Sequence, residues 1–281
     1  MPEQIPWLPL LPPELQPMAA RLDAARLEEL RLRAGRRPCA VIANREQELQ
    51  APVTTRTQLE RIVGAASGHS SFAAMSDGFL TLPGGHRMGF CGEAVVKDGK
   101  MTSFRTLSSI NLRLAREVIG AAEPVLQALH GRAENLLFIG PPGCGKTTML
   151  RDTIRLYSDR LMQRVGVADE RGELAAVRDG VPGFDIGQHT DVLTGGPRSQ
   201  ALEQLLRVMN PTVLAMDEIV TDAEITALQH AGRCGVKLLA TAHAADGCEL
   251  RQRRQLECLR ELFPRVILVD HNTIRWERWE C

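Results

Sequence analysis

Aromatic side chains are scarce, at 4% of 281 residues with a single tyrosine, so the 44% hydrophobic content has to build a mostly aliphatic core. Net charge is missing too. With 34 basic against 34 acidic residues, no global field draws the chain to nucleic acid or anionic lipid, and only a local patch would do so. The seven cysteines are odd in number, scattered and free of any C-x-x-C pair, which argues for reduced thiols in a cytosolic compartment against a disulfide framework. Cys234, Cys248 and Cys258 lie near His243, but their spacings match no structural zinc pattern. No apolar run reaches the ~18 residues of a membrane span, and the start lacks the basic region of a secretory signal. The run from Ile5 to Pro12 is apolar but broken by prolines, and is expected to pack on the protein as an arm. These absences describe a soluble chain of one large domain or two modest ones.

What is present is organised around Asn135 to Thr148. An apolar run from Leu136 to Ile139 reads as a buried strand. It ends in Gly140, Pro141, Pro142, Gly143, Cys144, Gly145, Lys146 and Thr147, which fit the phosphate-loop pattern G-x-x-x-x-G-K-[ST] at every specified position. A helical stretch follows from Thr147 through Thr148 to Tyr157. Glycines let the backbone wrap a phosphate, and the loop amides and helix N-terminus point at the anion. Lys146 is suited to reach the β- and γ-phosphates of ATP, and the Thr147 hydroxyl to ligate Mg²⁺. Cys144 reads as a small packing residue open to oxidation.

The first hundred residues carry no constellation that does chemistry alone. Leu15, Met18, Leu22 and Ala25 fall at helical spacing. Leu30, Leu32 and Ala34 alternate with arginines before an apolar run from Cys39 to Ala43, which predicts a hairpin. Thr57 and Glu60 fit a capping box opening a short helix. Residues 79–82, 87–96 and 101–107, separated by glycine turns, predict a second strand group. The region reads as a small α+β domain over residues 1–116. Arg105, Arg113 and Arg116 at its exit are suited to reach a nucleotide in this subunit or a neighbour, although ordinary surface arginines are the commoner reading.

Residues 117–281 alternate helices and strands. A helix is expected over 118–129. Apolar strands at 165–168, 212–216, 236–240 and 266–269 imply a mainly parallel sheet covered on both faces, with a glycine-bearing segment at 180–196. Ligands bind at the carboxyl ends of such strands, and there stand Lys146 and Thr147, Asp169 and Glu170, Asp217 and Glu218, and His243. Asp217 is expected to hold Mg²⁺, directly or through water, and Glu218 to orient and polarise the attacking water. For Asp169 and Glu170, water polarisation and a salt bridge with Arg171 stand as equal readings. His243 is placed to sense the γ-phosphate.

Beyond these patterns, Val-Gly-Val-Ala-Asp-Glu-Arg-Gly-Glu-Leu (165–174), the 185–194 run with His-Thr-Asp-Val-Leu (189–193), Leu-Arg-Val-Met-Asn-Pro-Thr-Val-Leu-Ala-Met-Asp-Glu-Ile (206–219) and Gly-Val-Lys-Leu-Leu-Ala-Thr-Ala-His (235–243) resemble the stage III sporulation protein AA family. Residues 29–38 and 111–117 extend the resemblance to that family's N-terminal region. The family is similar to the ATPases that drive type II and type IV secretion and pilus assembly. The resemblance implies an α/β fold: a RecA-like P-loop NTPase core at 117–281, preceded by the small α+β domain. It assigns Asp169 and Glu170 to the acidic box, Glu218 to the second acidic motif and His243 to the histidine box. Arg105 and Arg113, or Arg198 and Arg207 from the core, are the implied candidates for an arginine finger. Asp217 departs from the family of motors, which usually carry Gly there. The implied function is a cytoplasmic, Mg²⁺-dependent ATPase, a ring-shaped hexamer docked on a membrane-embedded, secretion-like channel between mother cell and forespore. A RecA-like nucleic-acid-dependent ATPase and a nucleotide-gated scaffold with little turnover are the alternatives. The neutral charge and lack of an aromatic-basic groove disfavour nucleic acid as a partner.

Overall fold

The computed structural model describes residues 5–43, 45–67, 78–178, 180–252, 254–270 and 273–279. The chain divides into two compact units, Met1–Arg116 and Glu117–Cys281.

In the first unit a 3₁₀ turn (Leu8–Leu10) and α1 (Gln16–Ala19) precede β1 (Leu27–Arg33), β2 (Cys39–Ile42) and β3 (Arg45–Glu48). There follow α2 (Arg56–Ala66), β4 (Phe79–Thr81), β5 (Arg87–Lys97) and β6 (Lys100–Arg113). The strands form one sheet in the order β3-β2-β1-β6-β5-β4, with every neighbouring pair antiparallel. One face of it packs on α2 through Leu59, Ile62 and Val63. The N-terminal arm closes the same core with Ile5, Trp7, Leu11 and Leu15. The capping box sits two residues earlier than the sequence suggested. Thr55 is in extended backbone; its hydroxyl accepts the Gln58 amide at 3.3 Å while the Gln58 side chain accepts the Thr55 amide at 2.9 Å. Thr57 lies inside the helix, where its hydroxyl has no free helix-end amide to bind.

The second unit runs α3 (Glu123–Ala128), β7 (Leu136–Gly140), α4 (Lys146–Asp159), β8 (Val165–Asp169), β9 (Thr190–Thr194), α5 (Arg198–Val208) and β10 (Val213–Met216). It continues with α6 (Asp222–Arg233), β11 (Lys237–His243), α7 (Gly247–Gln252), α8 (Arg254–Glu257), β12 (Arg265–Asp270) and β13 (Thr273–Arg278). The sheet order is β13-β12-β7-β11-β10-β8-β9. All pairs are parallel except β12 with β13. Strands β7, β8 and β10 are buried at every position, as unbroken apolar runs are when helices cover both faces. Leu202, Leu205, Ile225 and Leu228 pack with Leu214 and Leu238 in the core on the α5 and α6 side.

Three local outcomes differ from the sequence reading. The helix expected over 118–129 shrinks to α3, because Gly120 takes a left-handed φ of +87° and Pro124 sits in the first turn, where the missing amide is tolerated. The glycine-bearing segment at 180–196 contains β9, which extends the parallel sheet at its edge. Residues 273–278, where Ile274 and Trp276 alternate with polar side chains, form β13, the antiparallel edge at the other end. Among the described residues no helix is long and apolar enough to cross a membrane. Cys39, Cys91, Cys144, Cys234 and Cys258 are free thiols, whereas Cys248 is disulfide-bonded, a departure from the expectation of reduced thiols throughout.

Candidate functional site

Strand β7 delivers the chain into the loop at 140–145 with no room to spare. A Cβ on Gly140 would lie 2.4 Å from the Val269 carbonyl oxygen of β12 and 2.7 Å from the Cys144 sulfur, so only glycine lets the loop leave the sheet here. Gly145, at φ +103°, is the N-cap of α4 and supplies no side-chain cap. The first-turn amides of α4 therefore remain donors, and the helix dipole places partial positive charge at the same point. Lys146 is buried, and its ammonium donates to the carbonyls of Gly140 at 2.9 Å and Pro141 at 2.7 Å. Cys144 is buried beneath the loop. Uncapped amides, a helix N-terminus and a lysine held at the loop together suit a phosphate.

The parallel register sets the acidic groups beside this loop. Met216 of β10 lies opposite Ala168 of β8 and Ala240 of β11, so the residues that follow, Asp169, Asp217 and Thr241, fall in one row across three strands. His243 lies opposite Gly140 at the head of the loop. Asp217 accepts hydrogen bonds on both oxygens, from the Thr147 hydroxyl at 2.7 Å and the Thr241 hydroxyl at 2.6 Å. Thr147 and Asp217 thus present adjacent hard oxygens, the donor type Mg²⁺ takes alongside phosphate and water. Glu218 follows with a left-handed φ of +58°, a conformation that costs a non-glycine residue about 1 kcal/mol or more. Its carboxylate lies 3.0 Å from His243 Nε2 and 4.0 Å from Arg171. His243 Nδ1 is buried and has no hydrogen-bond partner among the described residues.

Asp169 and Glu170, alike in the sequence, are used differently. The Asp169 carboxylate accepts the amides of Glu173, Leu174 and Ala175 at 2.8–3.2 Å, folding the 170–175 segment back over it. Burial pushes this carboxyl above its ordinary value despite the three amide donors, and the Asp217 charge adds to the rise. Arg151 of α4 grips the same segment from the other side. It donates to the carbonyls of Leu174 and Glu173 at 2.8 and 2.6 Å and stacks on Phe184. Glu170 shares with Asp169 a small cleft lined also by Arg171, Glu173, Arg198, Asp217 and Glu218, but its carboxylate takes a different partner. There Arg198 lies 3.5 Å from Glu170 and donates at 2.7 Å to Glu224 and at 3.0 Å to the Asp217 carbonyl.

Glu224 is the anchor of that cleft. One carboxylate oxygen takes Arg198, and the other takes the amides of Val220 and Thr221 at the start of α6. Burial alone would raise its carboxyl, but those amides and the guanidinium outweigh it and hold the pKa below the ordinary 4.5. A depressed folded-state pKa stabilises above the unfolded value and loses that contribution as pH falls through the folded one. Glu224→Ala is therefore expected to cost about 2–3 kcal/mol at pH 7. In urea titrations the gap to the wild type should narrow below pH 4.5; a gap independent of pH would refute the ionic part of this role.

With this geometry in view, the comparisons with known proteins are decisive at the level of family. Residues 16–275 match the family described as sporulation stage III, protein AA. The chain belongs to that family. Stage III sporulation protein AA of Bacillus subtilis (strain 168) is 34% identical over 243 residues, which cover 84% of this chain and 79% of that protein. Among solved structures, the pilus retraction motor PilT with bound ADP aligns with a TM-score of 0.63 at 15% identity, covering 89% of this chain and 78% of that one. The Yersinia pseudotuberculosis ATPase DotB aligns with a TM-score of 0.61 at 15% identity, covering 100% and 82%. At such identities the likeness is one of fold, a mixed α/β architecture shared with a pilus motor and an ATPase.

The arginines that the sequence singled out for this family member are placed as follows. Arg105 and Arg113 both lie on β6 of the first unit. Arg105 is exposed, 3.5 Å from Glu93; Arg113 donates to Glu29 at 3.0 Å. Arg116 is tied to the Ala24 and Leu27 carbonyls. In the second unit Arg207 is exposed on the last turn of α5, whereas Arg198 is nearly buried among carboxylates of its own chain. Two participants escaped the sequence reading. Neither Glu224 nor Thr241 had been given a role, although both stand beside residues that had.

Proposed function

We propose that this family member is a Mg²⁺-dependent ATPase of the secretion-motor kind. It would act as a homo-oligomeric ring, a hexamer, on the cytoplasmic side of a membrane-embedded channel complex in sporulation. The observation that carries the reading is the hydrogen-bonded chain Thr147–Asp217–Thr241–Glu218, with His243 Nε2 3.0 Å from the Glu218 carboxylate, laid directly beside an uncapped phosphate loop.

ATP is the substrate. The loop amides of residues 143–147 and the Lys146 ammonium bind its phosphates, and Thr148 extends the amide row by one residue. Thr147 and Asp217 are the residues that would hold Mg²⁺, which when bound neutralises charge on the phosphate oxygens. Glu218 orients a water molecule and draws on its proton while the water oxygen bonds to the γ-phosphorus and the bond to the β-γ bridging oxygen breaks, leaving ADP and phosphate. His243 holds the Glu218 carboxylate through Nε2 and sits at the loop, where it senses the γ-phosphate. Arg198 is held by the Glu170 and Glu224 carboxylates of its own chain, which leaves Arg105, Arg113 and the exposed Arg207 as the candidates for a finger donated to a nucleotide. Asp169 serves this chemistry by shaping the segment that carries Glu170 and Arg171.

The test combines solution mass and turnover, each measured with and without ATP and Mg²⁺ over a range of protein concentrations. Assembly to six chains, with specific activity that climbs as protein concentration rises, is the expected result. Full activity in a dilute monomer would sink the ring. Binding without turnover would establish a nucleotide-gated scaffold, and salt-dependent stimulation by single-stranded DNA would move the reading to a nucleic-acid ATPase.

A further inference from the structure

We propose that Thr241 is a positioning residue for hydrolysis, holding Asp217, Glu218 and Ile219 in one arrangement through a single side chain and its own carbonyl. This rests on the ATPase reading above and names a residue that touches neither phosphate nor water.

Thr241 is buried, at 1% exposure, in the strand that lies between the phosphate-loop strand and the one ending in Asp217 and Glu218. Its hydroxyl donates to Asp217 Oδ1 at 2.6 Å and accepts the Glu218 amide at 2.8 Å. Its carbonyl accepts the Ile219 amide at 2.9 Å. Three successive residues are thereby fixed at the point where the chain leaves β10. The middle one, Glu218, is the residue in the left-handed conformation, which a non-glycine residue keeps only where its surroundings impose it.

The consequence is a division of labour across the Asp217 carboxylate. Thr147 orients one oxygen from the phosphate loop and Thr241 orients the other from the neighbouring strand. A valine at 241 has nearly the same shape but can neither donate to Asp217 nor accept from Glu218. It would leave a half-buried carboxylate oxygen and a half-buried amide without these partners and free the Glu218 backbone to relax toward ordinary dihedrals. The carboxylate of Glu218 would then leave the place set by its backbone. A displacement of about 1 Å of a catalytic group costs up to about 10²-fold in rate. Phosphate binding depends on Lys146 and the loop amides, and Thr241 touches neither of these.

The test compares Thr241→Val, Thr241→Ala and Thr241→Ser with the wild-type full chain. The readouts are kcat, KM, direct binding of a fluorescent ADP analogue, and urea unfolding. Thr241→Val and Thr241→Ala should lower kcat at least about tenfold, with analogue affinity within about threefold of the wild type. Thr241→Ser, which keeps the hydroxyl, should recover kcat to within about threefold of wild type. Should Thr241→Val fail to fold, Thr241→Ala removes the same hydroxyl without crowding and carries the comparison with serine. Wild-type kcat in the valine or alanine variant would overturn the role, as would a serine variant as slow as alanine. A wild-type chain that binds the analogue but never turns over ATP would fail differently, taking the hydrolysis reading down first and this role with it.

Discussion

Glu218→Gln is expected to bind ATP within about threefold of the wild type and to lower kcat by at least about 10²-fold, the lower end of what a positioned general base contributes. The substitution keeps size and shape. Glutamine keeps an oxygen where the carboxylate approaches His243 Nε2, and nothing changes at the Thr241 bond that sets the Glu218 backbone. What disappears is the negative charge that the proposed mechanism uses to draw on the water proton. Single-turnover and steady-state rates with a separate binding measurement would separate the two effects. If kcat is unchanged, Glu218 is a structural residue of the turn and the water must be handled elsewhere. If binding collapses in parallel, the turn itself depends on the charge, through Arg171 at 4.0 Å.

Lys146→Ala should act on the other half of the reaction, weakening nucleotide binding by at least about 10²-fold, which corresponds to about 2.7 kcal/mol and to one or two hydrogen bonds made by a charged group. Two changes combine. The only cation of the loop is removed, and the carbonyls of Gly140 and Pro141 lose the donor that holds them at 2.9 and 2.7 Å. The second change predicts a measurable loss of stability even without nucleotide, about 1–3 kcal/mol for acceptors left unpaired in a buried place. Lys146→Arg should restore little, since a planar fork does not replace a compact ammonium in the buried space lysine occupies. Calorimetric titration and urea unfolding read the two effects separately. Intact binding by Lys146→Ala would mean that the loop amides alone carry the anion.

How much of this was legible beforehand depended on how local each feature is. The loop from Gly140 to Thr148 announces itself because its chemistry is contiguous: glycines, lysine and hydroxyl sit within nine positions. The strand-end placement of Asp217, Glu218 and His243 was readable because each follows an apolar run. By contrast, Asp169 and Glu170 look like equivalent acids in the sequence. Only the folded-back segment shows that Asp169 is consumed by the amides of 173–175 while Glu170 pairs with Arg198. Strand β9 hid in a glycine-bearing segment, and β13 in a charged one. Edge strands bury little, so their pattern lacks the unbroken apolar run that marked β7, β8 and β10.

From the sequence alone came the phosphate loop, the alternation of helices with apolar strands and the positions where those strands end, since backbone conformation and burial follow local pattern. The family, too, is written in residues spread along the chain. The tertiary structure decided the order of the strands and therefore which strand ends meet. Thr241 and Asp217 are 24 positions apart, and they touch because β11 and β10 pair in parallel with Ala240 opposite Met216. A one-residue slip would turn either side chain to the opposite face of the sheet. Register is a property of the packed sheet, and it alone converts an unremarked threonine into the clamp on two acidic residues.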